Sequence, residues 1–141
     1  EPVGVLAIAC PDERPLLACV AAFAAATCVG NTVVLIPSEQ HPLLATDLYQ
    51  VLDTSDVPAG VVNLVPGDRD ALADTLAAHA EVDAFWWPDA TAAQAKRVET
   101  LSVSNLKRTW VADGSFATTA TGRGALEHAV QVKNVWVPYG V

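Results

Sequence analysis

The sequence predicts an α/β fold: a doubly wound, Rossmann-like sheet of five parallel strands with one extra strand at the C-terminus. Three observations carry that expectation. Short apolar runs recur at roughly 25-residue spacing, and segments of helical period fill the gaps between them. The runs are continuous rather than alternating, as Val33-Val34-Leu35-Ile36 is, which suits strands buried on both faces under helices. Gly and Pro punctuate the chain at the expected element ends, as Gly30, Pro37 and Pro42 do around that run. The length of 141 residues suffices for one domain with a substantial core, and 52% hydrophobic against 17% charged residues excludes a disordered chain.

Residues 3–10 read as the first strand, closed by Pro11-Asp12-Glu13-Arg14-Pro15. Pro15 suits the first helical position, and residues 16–29 are apolar around the whole helix, which should therefore be covered on both sides. Gly30 ends that helix and Thr32–Ile36 forms the second strand. From Pro42, the spacing of Leu44, Leu48, Val51 and Leu52 predicts a helix with Asp47 and Gln50 outside, broken by Pro58-Ala59-Gly60. Residues 61–65 are the third strand. After Pro66-Gly67-Asp68 comes a helix with Leu72, Leu76 and Ala80 inward and Asp70 and Asp74 outward.

The fourth strand is 83–87, and Asp89 is the expected N-cap of a helix that turns Ala92, Ala95, Val98 and Leu101 to one side. Arg108–Val111 is the fifth strand. Residues 114–124 show no period and read as a loop, with a short helical piece over 125–128. Residues 130–137 alternate like an edge or exchanged strand with no helix after them to cover it. Val130, Val132, Val135 and Val137 are therefore the expected interface, pairing with something outside this sheet. The division that follows is 1–114 for a dinucleotide-binding-like domain and 115–141 for a loop and arm strand.

Composition excludes several functions. The formal net charge is -8, and no cluster of Lys and Arg exceeds the pairs Lys96-Arg97 and Lys107-Arg108, so neither nucleic acid nor an anionic membrane is an expected partner. The apolar stretch 16–35 is interrupted by Gly30-Asn31 and switches from Ala-rich to Val-rich there, which fits a helix followed by a strand better than a membrane span. Cys10, Cys19 and Cys28 have no spaced His or Cys partner, so no zinc site or disulfide framework is indicated, and reduced thiols in a cytoplasmic protein are expected. A start at Glu1 without Met suggests a domain cut from a longer protein.

The residues offer little chemistry of their own. No G-x-G-x-x-G follows any strand. Glu39, just past the second strand, is the candidate to accept hydrogen bonds from a ribose diol. Cys19 and Cys28 fall in an apolar helix as small hydrophobes, and the carboxylates of Asp12 and Glu13 would raise rather than lower the pKa of Cys10. His41, His79 and His128 occur in turns or helix ends without a spaced partner, which points to surface roles.

Several stretches are recognisable together: Glu1-Pro2-Val3-Gly4-Val5, Pro11-x-x-x-Pro15-Leu16-Leu17, Gly30-Asn31-Thr32-Val33-Val34-Leu35-x-Pro37-Ser38-Glu39-Gln40-x-Pro42-Leu43, Pro58-Ala59-Gly60-Val61-Val62-Asn63-Leu64-Val65-Pro66-Gly67, and Ser104-Asn105-Leu106-Lys107-Arg108. In this order they resemble the nucleotide-binding half of the aldehyde dehydrogenase superfamily over residues 1–114. Residues 127–137 resemble that family's final strand, part of its oligomerisation arm. Between the two, the family places its whole thiol-bearing catalytic domain; here about a dozen residues intervene.

The departures fall on the family's functional positions. Glu13 stands where an Asn amide helps form the oxyanion hole, so an acceptor replaces a donor. Ile36 stands at the ribose-binding Lys, whereas Glu39 is retained. The Gly-Ser-Thr-x-x-Gly turn under the pyrophosphate aligns with Asp89-Ala90-Thr91-Ala92-Ala93-Gln94, placing a carboxylate where phosphate would bind. Ala112 aligns with the general-base Glu, and the nucleophilic Cys has no counterpart. The pattern is similar to the degenerate second unit of two-part members of the superfamily. It implies a non-catalytic chain that needs no cofactor and serves assembly, behind an upstream catalytic aldehyde dehydrogenase domain that uses NAD, in a homo-oligomer. The alternative is a residual NAD(P)-binding module acting through Glu39, Gly67 and the turn after the first strand.

Overall fold

The structure of the chain, a computed structural model, describes residues 1–111, 114 and 123–140. In order the elements are β1 (Val5–Ala9), α1 (Pro15–Thr27), β2 (Thr32–Ile36), α2 (Pro42–Asp53), β3 (Val62–Leu64), α3 (Arg69–Ala78), β4 (Ala84–Trp87), α4 (Ala92–Ser102), β5 (Arg108–Val111) and α5 (Arg123–His128). The strands form one sheet in the order β3-β2-β1-β4-β5, every pair parallel. This is the doubly wound α/β architecture expected from the spacing of the apolar runs. The expected loop over 114–124 and the position Ala112 fall largely or wholly outside the described residues.

Side-chain alternation sorts the sheet into two cores. Leu6 and Ile8 of β1 with Val33 and Leu35 of β2 face α1 and α5, while Ala7 and Ala9 with Phe85 and Trp87 of β4 face α3 and α4. Ala7 lies opposite Phe85 in the ladder, so a small side chain on one strand makes room for a ring on the next. All four residues of β4 are buried, which is why its sequence shows no polar alternation.

The helices carry two corrections to their expected faces. In α1 the sheet-facing stripe is Ala18, Cys19, Ala22 and Ala26, small residues that bring the helix close, while Leu16 and Leu17 remain 47% exposed. Part of the expected second covering of α1 is thus absent among the described residues. In α2 only Ala45 is buried, with Leu48 and Leu52 half-buried, and Leu44 and Val51 face out because the helix sits over the sheet's edge and contacts it along a narrow stripe. In α3 the buried residues are Ala73 and Ala77, with Leu72 and Leu76 on the flanks and Ala80 exposed. In α4 the N-cap is Thr91, not Asp89: the Gln94 amide N–H donates to Thr91 Oγ1 and the Gln94 side chain accepts from the Thr91 N–H at 2.9 Å, a complete capping box. That cap leaves Ala92 outside and buries Ala95 and Val98.

The entry to β5 is fastened to the loop before β4. Asn105 Nδ2 donates to the carbonyls of Ala80 and Val82 at 2.9 and 3.0 Å, and Lys107 Nζ donates to His79 at 2.8 Å. A larger fastening is made by Asn31, 2% exposed between α1 and β2. Its Oδ1 accepts the Gly4 N–H at 2.9 Å, and its Nδ2 donates to Ala26 at 2.9 Å and to Ala129 at 2.8 Å. One amide so joins the approach to β1, the last turn of α1 and the end of α5. On the same face Trp86 meets Trp110 edge-on at 5.1 Å, and His128 stacks on Trp110 at 4.3 Å. His128 therefore anchors α5 rather than serving at the surface.

The extra C-terminal strand does not form within the chain. Val130 makes a single antiparallel bridge with Pro2 and is half-buried, and residues 131–140 carry no strand. Alternation predicts which face a strand would bury, but a ladder needs a neighbouring edge, and among the described residues only Glu1 and Pro2 run beside this segment, pairing with Val130 and Gln131. Val132, Val135 and Val137 are exposed, with Trp136 at 93%. No helix among the described residues is long and apolar enough to cross a membrane.

Replacing Asn31 with Ala should leave the Ala129 carbonyl and the Gly4 N–H unsatisfied, while the Ala26 carbonyl keeps the backbone N–H of residue 31, and cost about 1–3 kcal/mol. Hydrogen exchange should show the amides of α5 opening first; uniform protection across both sheet and α5 would contradict the three-way role. Trp86→Ala should cost about 3–5 kcal/mol in urea unfolding, since it removes a fully buried ring between β1 and Trp110.

Candidate functional site

In an open doubly wound sheet, ligands bind beyond the carboxyl ends of the strands at the point where strand order reverses. Here the chain leaves β1 for β2 on one side and crosses from β3 to β4 on the other, so that point lies between β1 and β4. The turn after β1 contributes Asp12 and Glu13, the turn after β4 contributes Asp89, and the connection after β2 contributes Ser38 and Gln40.

Asp12 organises this end of the sheet. Its Oδ1 accepts the Ser38 hydroxyl at 2.6 Å and the Gln40 N–H at 3.3 Å, and its Oδ2 pairs with Arg69 at 2.7 Å. Arg69, in the first turn of α3, also donates to the Cys10 carbonyl at 2.8 Å. Three successive strand-to-helix connections are thereby tied to one carboxylate. Burial opposes the ionisation of Asp12, but the Ser38 hydroxyl, the Gln40 amide and Arg69 outweigh it and hold the carboxyl below its usual range. Asp89 goes the other way: burial pushes its carboxyl up, Arg69 offsets part of this, and Asp12 and Glu13 add to the rise.

This is an acceptor-rich crevice. A phosphate needs free N–H donors and positive potential; here the Arg69 guanidinium is already shared between Asp12 and a carbonyl, the exposed Arg14 at the N-cap of α1 adds a second cation, and Asp12, Glu13 and Asp89 together bring more negative charge than the two arginines offset. Ile36 is fully buried in the α3–α4 core, so its side chain offers nothing to the crevice. Among the described residues no group of three metal-ligating side chains occurs. Cys10 and Cys19 are buried and Cys28 is exposed.

The two residues marked for cofactor binding lie at the ends of neighbouring strands. Glu39 is exposed beyond β2, with no ion pair among the described residues. Gly67 is exposed beyond β3, where an added Cβ would come 3.1 Å from Leu72 Cδ1, so close packing of that turn on α3 gives the glycine a structural reason. The valines at 130–137 are not part of this end: Val130 bridges to Pro2, which precedes β1. Arg69 and Ser38 went unmarked in the sequence. The available signal was a cation at N1 of α3, directly after the Asp68 cap, an unfavourable place for positive charge unless a carboxylate holds it.

The fold and this switch-point crevice define a dinucleotide-binding-type α/β domain. More specifically, the chain belongs to the aldehyde dehydrogenase family, whose model matches residues 1–121. It is 38% identical over 108 residues to human retinaldehyde dehydrogenase 3, covering 77% of this chain and 21% of that protein. Among solved structures it is similar to γ-glutamyl-γ-aminobutyraldehyde dehydrogenase from Burkholderia cenocepacia, with 39% identity and a TM-score of 0.70 over 79% of this chain and 22% of the other. An indole-3-acetaldehyde dehydrogenase complexed with NAD+ matches at 36% identity with a TM-score of 0.71, over 79% of this chain and 22% of its own. The chain spans about a fifth of the length of the curated relatives it matches.

The Asp12 carboxyl is depressed in the folded state, so its contribution is full above the ordinary value of 3.8 and is lost as pH falls through the folded value. Asp12→Asn should therefore lower stability by about 1–3 kcal/mol at neutral pH and progressively less in acid. Urea midpoints measured from neutral pH downward check this; a difference that stayed constant with pH would contradict it. For Asp89 the raised carboxyl means that stability is lost as pH rises through the folded value. Asp89→Asn should accordingly raise the urea midpoint at neutral pH and leave it unchanged in strong acid.

Proposed function

We propose that this chain is a non-catalytic, dehydrogenase-derived module with a structural and assembly role in a larger NAD-dependent aldehyde dehydrogenase. The observation that carries the reading is the switch-point crevice, where Asp12 engages Arg69 and Ser38, and Glu13 and Asp89 add charge of the ligand's own sign. The fully buried Ile36 supports it, because an alkyl side chain packed in the core replaces the family's cofactor-gripping lysine. In this reading residues 1–114 are the degenerate nucleotide-binding-like domain and 115–141 are the loop and arm. An upstream catalytic unit holds the NAD, and the protein is a cytoplasmic homo-oligomer. Val130, Val132, Val135 and Val137 join a partner by strand addition.

Residual NAD(P) binding is a second reading, and one observation favours it: Glu39 stands exposed beyond β2 with no ion pair among the described residues, and Gly67 lies beyond the neighbouring strand β3. Calorimetry separates the two. No heat at millimolar NAD+ or NADP+ is expected, together with no aldehyde-dependent NADH production by the chain alone. Saturable binding that Glu39→Gln abolishes would move the conclusion to the second reading. Sedimentation over a range of concentrations should show self-association that is lost on deleting residues 130–141; a strict monomer unaffected by the deletion would remove the assembly role for the isolated chain.

A further inference from the structure

Strand addition needs an open edge, and β3 offers one. In its parallel pairing with β2, the Val33 N–H donates to the Val61 carbonyl and the Val65 N–H to that of Leu35, both at 2.9 Å. Residues 61 and 65 thus turn their main chain toward β2, and the alternate residues Val62 and Leu64 turn theirs outward. β2 is the one neighbour of β3 in the sheet, so those outward groups line a free edge among the described residues. At the strand's amino end lies a cavity of about 210 Å³ lined by Tyr49, Leu52, Val57, Pro58 and Val62, with Asp53 also in its wall. An apolar cavity of roughly 150 Å³ accepts benzene, so this one has room for an indole.

The arm carries groups that suit this edge. Trp136 is 93% exposed, whereas Trp86, Trp87 and Trp110 are all buried. Residues 130–140 contain Lys133 and no carboxylate side chain, while the chain enters β3 past Asp53 and Asp56 and leaves it at Asp68. The other edge strand, β5, is entered through the cations Lys107 and Arg108, and Arg108 already donates to the carbonyl of Val130 in its own arm.

We propose that β3 receives the arm of a second copy of this chain, added antiparallel, with Trp136 in the cavity and Lys133 at Asp68. The proposal rests on the assembly role given above and names its receiving surface. The step from Lys133 to Trp136 covers about 10 Å of extended chain, the length of the three-residue strand Val62–Leu64. Asp68 Oδ1 accepts the Ala71 N–H, which leaves Oδ2 for the ammonium. Within its own chain Lys133 pairs with Glu1 at 2.9 Å, but both side chains are about half exposed or more, and such a pair is worth little. The arm's own β3 lies in the wrong direction. Val130 bridges Pro2 in antiparallel sense and the Gln131 N–H donates to Glu1, so from there the arm runs opposite to β1 and away from the sheet. Two copies that exchange arms close a two-fold dimer.

The test uses the full 141-residue chain. Unlabelled and nitrogen-15-labelled copies are mixed in urea, refolded together and joined with a water-soluble carbodiimide. In the dimer fraction the expected product is a Lys133–Asp68 peptide pair in which one peptide is labelled and the other is not. Tyr49→Glu, which puts a charge in the cavity, and Trp136→Ala should each raise the dimer dissociation constant by at least about tenfold without moving the urea midpoint of the monomer. Leu106→Glu, an exposed change beside β5, should leave association unchanged. A strict monomer removes the assembly role and this proposal together. Association that needs the arm but ignores Tyr49→Glu, or that joins Lys133 to another site, removes β3 as the receiver and leaves the assembly role standing. Lys133–Asp68 pairs with matched labels only would show the arm folding back on its own sheet, and the exchange would be overturned.

Discussion

Three segments far apart in sequence meet at the side chain of Asn31, and their positions depend on one another through it. The amide has one acceptor oxygen and two N–H donors, and all three are used on backbone groups: Gly4 before β1, Ala26 in α1 and Ala129 after α5. A buried amide without partners costs about 1–3 kcal/mol on the scale of protein mutations. The satisfied state therefore exists only when β1, α1 and α5 are all docked. The small residues Ala125 and Ala129 let α5 close on α1, and the stack of His128 on Trp110 carries the same contact down to Trp86 in the sheet. The short last helix belongs to the fold through this route even though no strand follows it.

A second knot, centred on the Asp12 carboxylate, sits at the opposite end of β1. Asp12 with its three donors satisfies groups that, in a nucleotide-binding protein of this topology, would face a phosphate. Arg69 is held by both a carboxylate and a carbonyl, so recruiting it for a ligand would strand Asp12 in a partly buried site. The fold keeps its shape at the switch point by internal bonding among Asp12, Ser38, Gln40 and Arg69. The polar residues there read as a clamp between turns, and their charge balance opposes an anion.

Much of this architecture was legible in the sequence because burial on both sheet faces writes continuous apolar runs, and β2 lies at Thr32–Ile36 as the run between Gly30 and Pro37 implies. The helix faces were harder to read. Leu72 and Leu76 outrank alanine on any hydrophobic scale, yet Ala73 and Ala77 are the residues pressed on the sheet, since close approach favours the smallest side chain. Asp89 and Thr91 are both good caps, and Gln94 decides between them because it lies three residues after Thr91 and closes the box. The ion pair of Asp12 with Arg69 joins residues 57 apart in sequence, and no local pattern announces a contact made only by tertiary geometry. Residues 130–137 alternate as a strand does, but pairing depends on a partner edge that a single chain's pattern cannot supply.

The central place of β1 has a consequence for how the chain folds. Its two neighbours are β2, which follows soon after, and β4, whose pairing brings Val5 to Asp83, 78 residues later. Within this sheet β1 thus waits, half-covered, until the 78 residues that bring β4 to it have been made. Parallel ladders closed across such separations carry a large loop-closure cost before any contact rewards it, which slows folding and leaves apolar edges open meanwhile. A unit of this topology gains from being synthesised beside something that can shield β1 during the delay.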